Sequence, residues 1–390
     1  MSKAPDSFIF VHSNRRVICA WEGLTQLAEL AAQAKARRPV VVMDAFFQGG
    51  TIAARVAELL RSATRAEAVF HYVPLQEPDT GSIEACHAAM SGETPDLIVA
   101  VGGGSTMDTA KISRLMLANP GPVQDMAGLG KRLNPHASLL VAVPTTAGTG
   151  SEVSESAIAG LAGSNVKLIF RSQEMTPQIA LLDASLSTSA PPQVTAGSGY
   201  DAVTHAVEAY VSKAASMMTD PFAESAMHLL GRWLPVAYRE PNDARARTAC
   251  LVASCQAAIA FNSANLGLAH AIAAPLGALH HVPHGLANAL ALPAVTAFNE
   301  PAMGDKAQAV AAAFGGTTAA QALARLRAEV GLNIGLDEFV PSEEAREELA
   351  RAAMKSGQVR MNPRPATLDD MRTILQDMRT PFDGQAMLRR

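Results

Sequence analysis

Several things are scarce in this sequence. Of its 390 residues only four are cysteine, and only 5% are aromatic. The cysteines (Cys19, Cys86, Cys250, Cys255) are scattered, and only Cys250 and Cys255 lie close, at a spacing that is not CxxC. A disulfide framework and a cysteine-based zinc site are therefore not expected, and a reducing, cytoplasmic compartment fits best. The few aromatics argue against a base-stacking platform. Basic excess is missing too. The formal net charge is -4, so neither nucleic acid nor an anionic membrane is an expected partner. There is no long apolar run either. The most apolar stretch, about 248–261, is too short to span a bilayer and carries Ser254 and Gln256. The opening MSKAPDSFIF puts Asp6 where a leader's apolar run would fall, so no signal peptide is expected.

What is present is core-forming material. Apolar residues make up 48% and charged residues 17% of the chain, a globular composition, and the length suggests two domains. The first half alternates between two patterns. PVVVM (Pro39–Met43), residues 68–73, DLIVAV (Asp96–Val101) and LLVAV (Leu139–Val143) read as strands. Residues 50–61, 82–90 and 107–117 read as helices. Continuous apolar strands alternating with helices predict a parallel sheet covered on both faces, with ligands at the carboxyl ends of its strands. After about Asp183 the pattern becomes helical, with segments expected near 193–213, 219–233, 243–262, 265–275, 284–298, 304–314, 318–331, 343–354 and 367–376. Pro191-Pro192 marks the change. The expected fold is an α/β N-terminal dinucleotide-binding domain, residues 1–188, plus an all-α C-terminal domain, residues 189–390.

Four motifs carry chemistry. Gly102-Gly103-Gly104-Ser105, followed by Asp108 and Lys111, sits between a predicted strand and a predicted helix. Glycines there let backbone N–H groups approach a phosphate. The spacing is not GxGxxG, and a plain tight turn is the simpler alternative. The second motif, Pro144-Thr145-Thr146-Ala147-Gly148-Thr149-Gly150-Ser151-Glu152, directly follows another strand, and its hydroxyls suit a phosphate or ribose. The third is Asp44, which ends a strand where a carboxylate can accept from ribose hydroxyls or simply cap a helix. The fourth is the most specific. Asp201 and His205, in GYDAVTHAVEAY, share one helix face, and His270 and His284 lie in GLAHAIAAPLGALHHVPHG. One carboxylate and three imidazoles form a donor set suited to iron or zinc.

In this order, VGGGSTMDTAK, PTTAGTGSEVS, GYDAVTHAVEAY and GLAHAIAAPLGALHHVPHGLANALALP resemble the iron-containing (group III) alcohol dehydrogenase family, and MNPRP at Met361–Pro365 matches its C-terminal region. The resemblance runs from about residue 39 to about 376. It implies the dehydroquinate synthase-like architecture, a homodimer, and hydride transfer between NAD(H) and a small primary alcohol or aldehyde. By the same resemblance Asp201, His205, His270 and His284 are the metal ligands, for Fe2+ with Zn2+ as the other candidate. Asp44, Gly103, Gly104, Ser105, Asp108, Thr145, Thr146, Thr149 and Lys167 fall at cofactor positions, with Asp44 matched to NAD rather than NADP. Phe261, Ala274 and His281 fall at or near the substrate pocket. At Ala274 relatives commonly carry a second histidine, which leaves the proton relay unassigned; His280 and His281 are nearby in sequence. The alternatives are a metal-free maleylacetate reductase-like enzyme, a reductase of a phosphonated, sulfonated or carboxylated aldehyde, and a dehydroquinate synthase-like lyase. A glycerol dehydrogenase uses fewer protein ligands, and an inactive NAD-binding sensor would have lost them.

Overall fold

The computed structural model describes residues 12–14, 16–164 and 166–381; the opening segment read above for a leader, residues 1–11, lies outside them. The chain divides into two compact units, Ser13–Ala190 and Pro191 onward.

The first unit runs β1 (Arg16–Cys19), α1 (Gln26–Gln33), β2 (Pro39–Asp44), α2 (Thr51–Thr64), β3 (Val69–Val73), α3 (Thr80–Ser91), β4 (Leu97–Gly102), α4 (Gly104–Met116), β5 (Leu139–Pro144), β6 (Ser156–Gly160), β7 (Lys167–Arg171) and β8 (Ile179–Leu182). Six strands form one parallel sheet in the order β1-β8-β5-β4-β2-β3. β6 and β7 pair as a separate antiparallel hairpin. The pleat sends alternate residues to opposite faces. Val41, Met43, Val99, Val101, Val141 and Val143 pack with Leu27, Leu30, Val56 and Leu60 of α1 and α2. Val40, Val42, Ile98, Ala100, Leu140 and Ala142 pack with Cys86, Met90, Met107 and Ala110 of α3 and α4. Burial on both faces is why these strands read as continuous apolar runs. The strand order reverses between β2 and β4, which is the switch point where such sheets open a ligand-binding crevice.

The second unit is helical: α5 (Pro192–Val211), α6 (Asp220–Arg239), α7 (Ala244–Ala264), α8 (Leu268–His280), α9 (His284–Met303), α10 (Asp305–Ala313), α11 (Ala319–Glu329), α12 (Glu343–Met354) and α13 (Leu368–Asp377). α5 is buried over nearly all its length, and its Tyr200 hydroxyl donates to the Leu323 carbonyl at 2.8 Å. No single helix among the described residues is long and apolar enough to cross a membrane.

The architecture is the expected one, but several elements differ from the sequence reading. β1, α1, β6, β7 and β8 were not anticipated. They are four to eight residues long, too short for a periodicity to stand out. α6, α8 and α9 end at Arg239, His280 and Met303, past the expected ends near 233, 275 and 298, and they contain Pro235, Pro275, Pro293 and Pro301. An internal proline costs a helix about 3 kcal/mol, and packing offsets it: Leu234 and Pro235 are buried, as are Pro293 and its neighbours.

Candidate functional site

The two nucleotide-type motifs lie side by side at the carboxyl edge of the sheet. β4 and β5 end in register, Gly102 opposite Pro144, and Thr145 N–H donates to the Gly102 carbonyl at 3.0 Å. Gly103 is the N-cap of α4 and offers no side chain, so the first N–H groups of the helix, at Gly104, Ser105 and Thr106, have no intrahelical acceptor. A Cβ on Gly104 would sit 2.7 Å from Thr149 Cγ2; only glycine lets the two loops approach this closely. Open helix N–H groups beside threonine hydroxyls suit an anion such as a phosphate.

Asp44 stands at the end of β2, across the switch point. Its Oδ1 accepts from Phe46 N–H at 2.9 Å, capping a short 3-10 turn, and partial burial pushes its carboxyl up from the ordinary range. Asp108 and Lys167 are held by protein partners. Asp108 Oδ1 accepts from Ser151 Oγ at 2.6 Å and Oδ2 from Ile158 N–H at 2.8 Å. The fully buried Lys111 sits 3.6 Å from Asp108 and donates to Ser151 and Ser156. This group braces the second motif against α4. Lys167, at the start of β7, pairs with both oxygens of Glu77, at 2.7 and 3.0 Å.

In the helical unit, three helices bring a second polar group together inside an apolar core. Asp201 Oδ1 lies 3.5 Å from His284 Nε2, 3.7 Å from His270 Nε2 and 3.9 Å from His205 Nε2. Asp201, His205 and His270 are buried, while His284 is part-exposed. α5 supplies Asp201 and His205 one turn apart, α8 supplies His270, and the first residue of α9 is His284. The α5–α9 approach depends on Gly285, where a Cβ would sit 2.1 Å from the Gly197 carbonyl oxygen. Donor atoms held about 2.1 Å from one tetrahedral cation are about 3.4 Å apart. The ligand atoms of Asp201, His270 and His284 all lie within 4.8 Å of one another, so this oxygen-and-nitrogen set fits a divalent transition metal. His205 joins at the side, its ring stacked on His270 with centroids 4.7 Å apart. Burial alone would raise the Asp201 carboxyl, but the imidazoles of His205, His284 and His270 outweigh it and hold it well below the usual range. Burial likewise opposes charge on His270, and the Asp201 and Glu208 carboxylates overcome it, raising the ring to about 9.

Two residues of this group went unread in the sequence. Glu208 Oε2 lies 2.7 Å from His270 Nδ1, and Asn288 Nδ2 donates to Asp201 Oδ1 at 2.7 Å. Their signal was available. Glu208 continues the Asp201–His205 stripe of α5 inside an apolar helix, and Asn288 falls one turn after His284. Phe261 stands beside the group, its ring 4.6 Å from that of His205. Ala274 is exposed one turn past His270 on α8. His281 is exposed at the C-cap of that helix with φ +54°, and His280 is its last residue, with Nε2 buried.

A doubly wound unit with paired nucleotide-type loops, in one chain with a buried carboxylate–imidazole group, has the parts of a metal-dependent dehydrogenase. Comparison with known proteins agrees. Residues 14–184 match the family model for iron-containing alcohol dehydrogenase, and residues 195–379 match the C-terminal model of the same family. The NAD-dependent methanol dehydrogenase of Bacillus methanolicus is 34% identical over 358 residues, covering 88% of this chain and 93% of its own. The crystal structure of a 1,3-propanediol oxidoreductase superposes with a TM-score of 0.91 at 30% identity, over 96% of this chain and all of that one. A sulfoacetaldehyde reductase from Bifidobacterium kashiwanohense, solved with NAD+, superposes at 0.89 with 26% identity, over 96% and 99%. The chain belongs to the iron-containing alcohol dehydrogenase family.

Proposed function

We propose that the protein is a metal-dependent oxidoreductase that transfers a hydride between NAD(H) and a small primary alcohol or aldehyde. The observation that carries this reading is the convergence of Asp201, His270 and His284 on one point in the helical core. Asp201, whose carboxylate argues against the metal-free alternative, would hold the metal with His270, His284 and His205. A divalent metal bound there supplies Lewis-acid polarisation of a substrate oxygen, and NAD(H) supplies the hydride acceptor or donor.

The chain's own residues bind and orient. The N–H groups at the start of α4 would take the pyrophosphate, with the hydroxyls of Ser105, Thr145, Thr146 and Thr149 beside them. Asp44 would accept from a ribose hydroxyl and repel a 2′-phosphate, favouring NAD over NADP. Asp108 works one layer back, holding Ser151 and Ile158 in place. Phe261, against His205, presents an apolar wall that excludes water from one side of the metal ligands. Ala274 adds no titratable group, so a proton released there must leave by water or another side chain. The test is NADH oxidation with a panel of short aldehydes, supplemented with ferrous ion or zinc and extended to sulfonated, phosphonated and carboxylated aldehydes. Metal-stimulated turnover of simple aldehydes is expected. Turnover confined to the anionic aldehydes would move the substrate class, and none with any of them would overturn the reading.

A further inference from the structure

Glu208 is a carboxylate inside the helical core, only 3% exposed, and a charge so placed needs partners for both oxygens. It has them. Oε1 accepts from Ala269 N–H at 2.6 Å, and Oε2 lies 2.7 Å from His270 Nδ1. Ala269 is in the first turn of α8, whose N-cap, Gly267, has no side chain to offer. A Cβ at Gly267 would come within 2.9 Å of Glu208 Oε1 and 3.1 Å of Asn362 Oδ1, so the space beside the carboxylate is closely filled.

The other edge of the His270 ring agrees with the same tautomer. Asn288 is fully buried, and its Nδ2 is 2.7 Å from Asp201 Oδ1 and 3.2 Å from both His270 Nε2 and His284 Nε2. The short contact to a carboxylate oxygen requires the amide nitrogen, not its oxygen, on that side. One of the two amide N–H groups meets Asp201, and the other lies between His270 Nε2 and His284 Nε2; with the Glu208 acceptor at Nδ1, the neutral ring that suits these neighbours is the Nδ1–H form, with its lone pair on Nε2.

We propose that Glu208 is a positioning residue, which fixes His270 as the Nδ1–H tautomer and so aims the Nε2 lone pair at the space shared with Asp201 and His284. The role rests on the reading above in that the lone pair is there to hold a metal. Glu208 also ties the ring to the start of α8, so ring and helix turn together. Carboxylates placed behind a ligating imidazole typically change metal affinity by about 10–100-fold when removed.

The experiment uses the full chain. In metal-free, 15N-histidine-labelled wild type held above about pH 9, where the His270 ring is neutral, and with His270 assigned by loss of its signals in His270→Ala, Nδ1 is expected to be protonated and Nε2 bare. The reverse tautomer overturns the proposal even if the wild type takes up no metal. In Glu208→Gln, which keeps the shape, divalent-metal affinity is expected to fall about 10–100-fold, with a shifted absorption spectrum of the cobalt-loaded protein. A purely structural cap would lower the melting temperature and leave the nitrogen shifts and the cobalt spectrum as in wild type; that pattern, or unchanged affinity, overturns the proposal. The two readings fail separately. Metal loading without hydride transfer removes the proposed reaction and leaves Glu208 its role. Normal aldehyde reduction with unchanged metal affinity in Glu208→Gln does the opposite.

Discussion

The chain carries two polar regions built on opposite plans. At the sheet edge, the polar groups are backbone N–H donors and short hydroxyls, arranged by glycines that let loops touch: Gly104 lies against Thr149. In the helical unit the groups are side chains from three helices, buried together, each partnered by another. The Asp201 carboxylate meets three imidazoles and an amide, and His270 lies between Asp201 and Glu208. The difference lies in how each region fails. A backbone cradle loses one contact at a time. A buried charge group loses its balance when one member leaves, because the remaining charges stay buried without partners. Side-chain deletions should therefore be severe in the helical unit and graded at the sheet edge.

The largest expected effect tests the first half of that contrast. His270→Ala and Asp201→Ala should each reduce metal content from near one per chain toward zero and lower aldehyde reduction more than about 100-fold, beyond what loss of a supporting partner costs. Elemental analysis and NADH-linked rates on the purified variants check this. Full metal content in His270→Ala would dissolve the group as a functional unit.

Next comes the sheet edge. Asp44→Asn keeps an acceptor for Phe46 N–H and removes only the charge. Two negative charges about 4 Å apart at a surface-like dielectric repel by about 4 kcal/mol before screening, and exposure and salt reduce this. The ratio of kcat/KM for NADPH over NADH should rise about 10–100-fold with little change in melting temperature. An unchanged ratio would leave Asp44 a helix cap and nothing more.

How much of this was legible beforehand follows the same division. The glycine and threonine loops are contiguous in sequence and follow apolar strands, so they announce themselves. Asp201 and His205 were legible because a helix places them one turn apart. That His270 and His284 join them depends on α8 and α9 packing against α5, which no local pattern states; the density of histidines in apolar segments suggested the grouping, and the family resemblance named the four as a ligand set. Glu208 and Asn288 were missed because single polar residues in apolar helices look the same whether they serve a ligand or satisfy a core. Lys167 and Asp108 show the converse limit. The motif showed Asp108 and the family resemblance pointed to Lys167, but their partners, Glu77, Ser151 and Ile158, come from distant segments. The short strands β1, β6, β7 and β8 were invisible because pairing, not composition, makes them strands.

A smaller effect separates charge burial at the sheet edge from that in the helical core. Glu152, at the end of the second nucleotide-type motif, is buried, and its Oε1 has no hydrogen-bond partner among the described residues. Burial pushes its carboxyl up from 4.5 to about 7, against the opposing pull of its own N–H and of Lys111. The folded state therefore holds the proton more tightly than the unfolded chain. The resulting cost is absent below about pH 4.5, grows as pH rises to about 7, and is constant above. At about 1.4 kcal/mol per pH unit across that window it is on the order of 3 kcal/mol at most. Glu152→Gln removes the ionisation. Its melting temperature should exceed that of wild type at pH 8 and match it near pH 5. Equal stabilisation at both would mean that the carboxylate is not the source of the cost.

The smallest expected effect concerns Lys167, where motif and geometry pull apart. Its position suggests a cofactor ribose, yet its ammonium spans both oxygens of Glu77. Glu77 is 61% exposed and Lys167 24% exposed, so the pair should contribute under about 1 kcal/mol to stability. If the pair is only structural, Lys167→Ala and Glu77→Gln remove the same contact. They should then behave alike, each changing the KM for NAD less than about threefold and the melting temperature by a few degrees at most. If Lys167 serves the nucleotide, the two variants diverge. Loss of the lysine would raise the KM about tenfold, while loss of the glutamate would free the ammonium and lower it. Steady-state kinetics on the two single variants and the double variant decide this, since a shared contact makes the double no worse than either single. Divergence would extend the sheet-edge cradle by one side chain. Agreement would leave that edge to backbone donors, hydroxyls and Asp44.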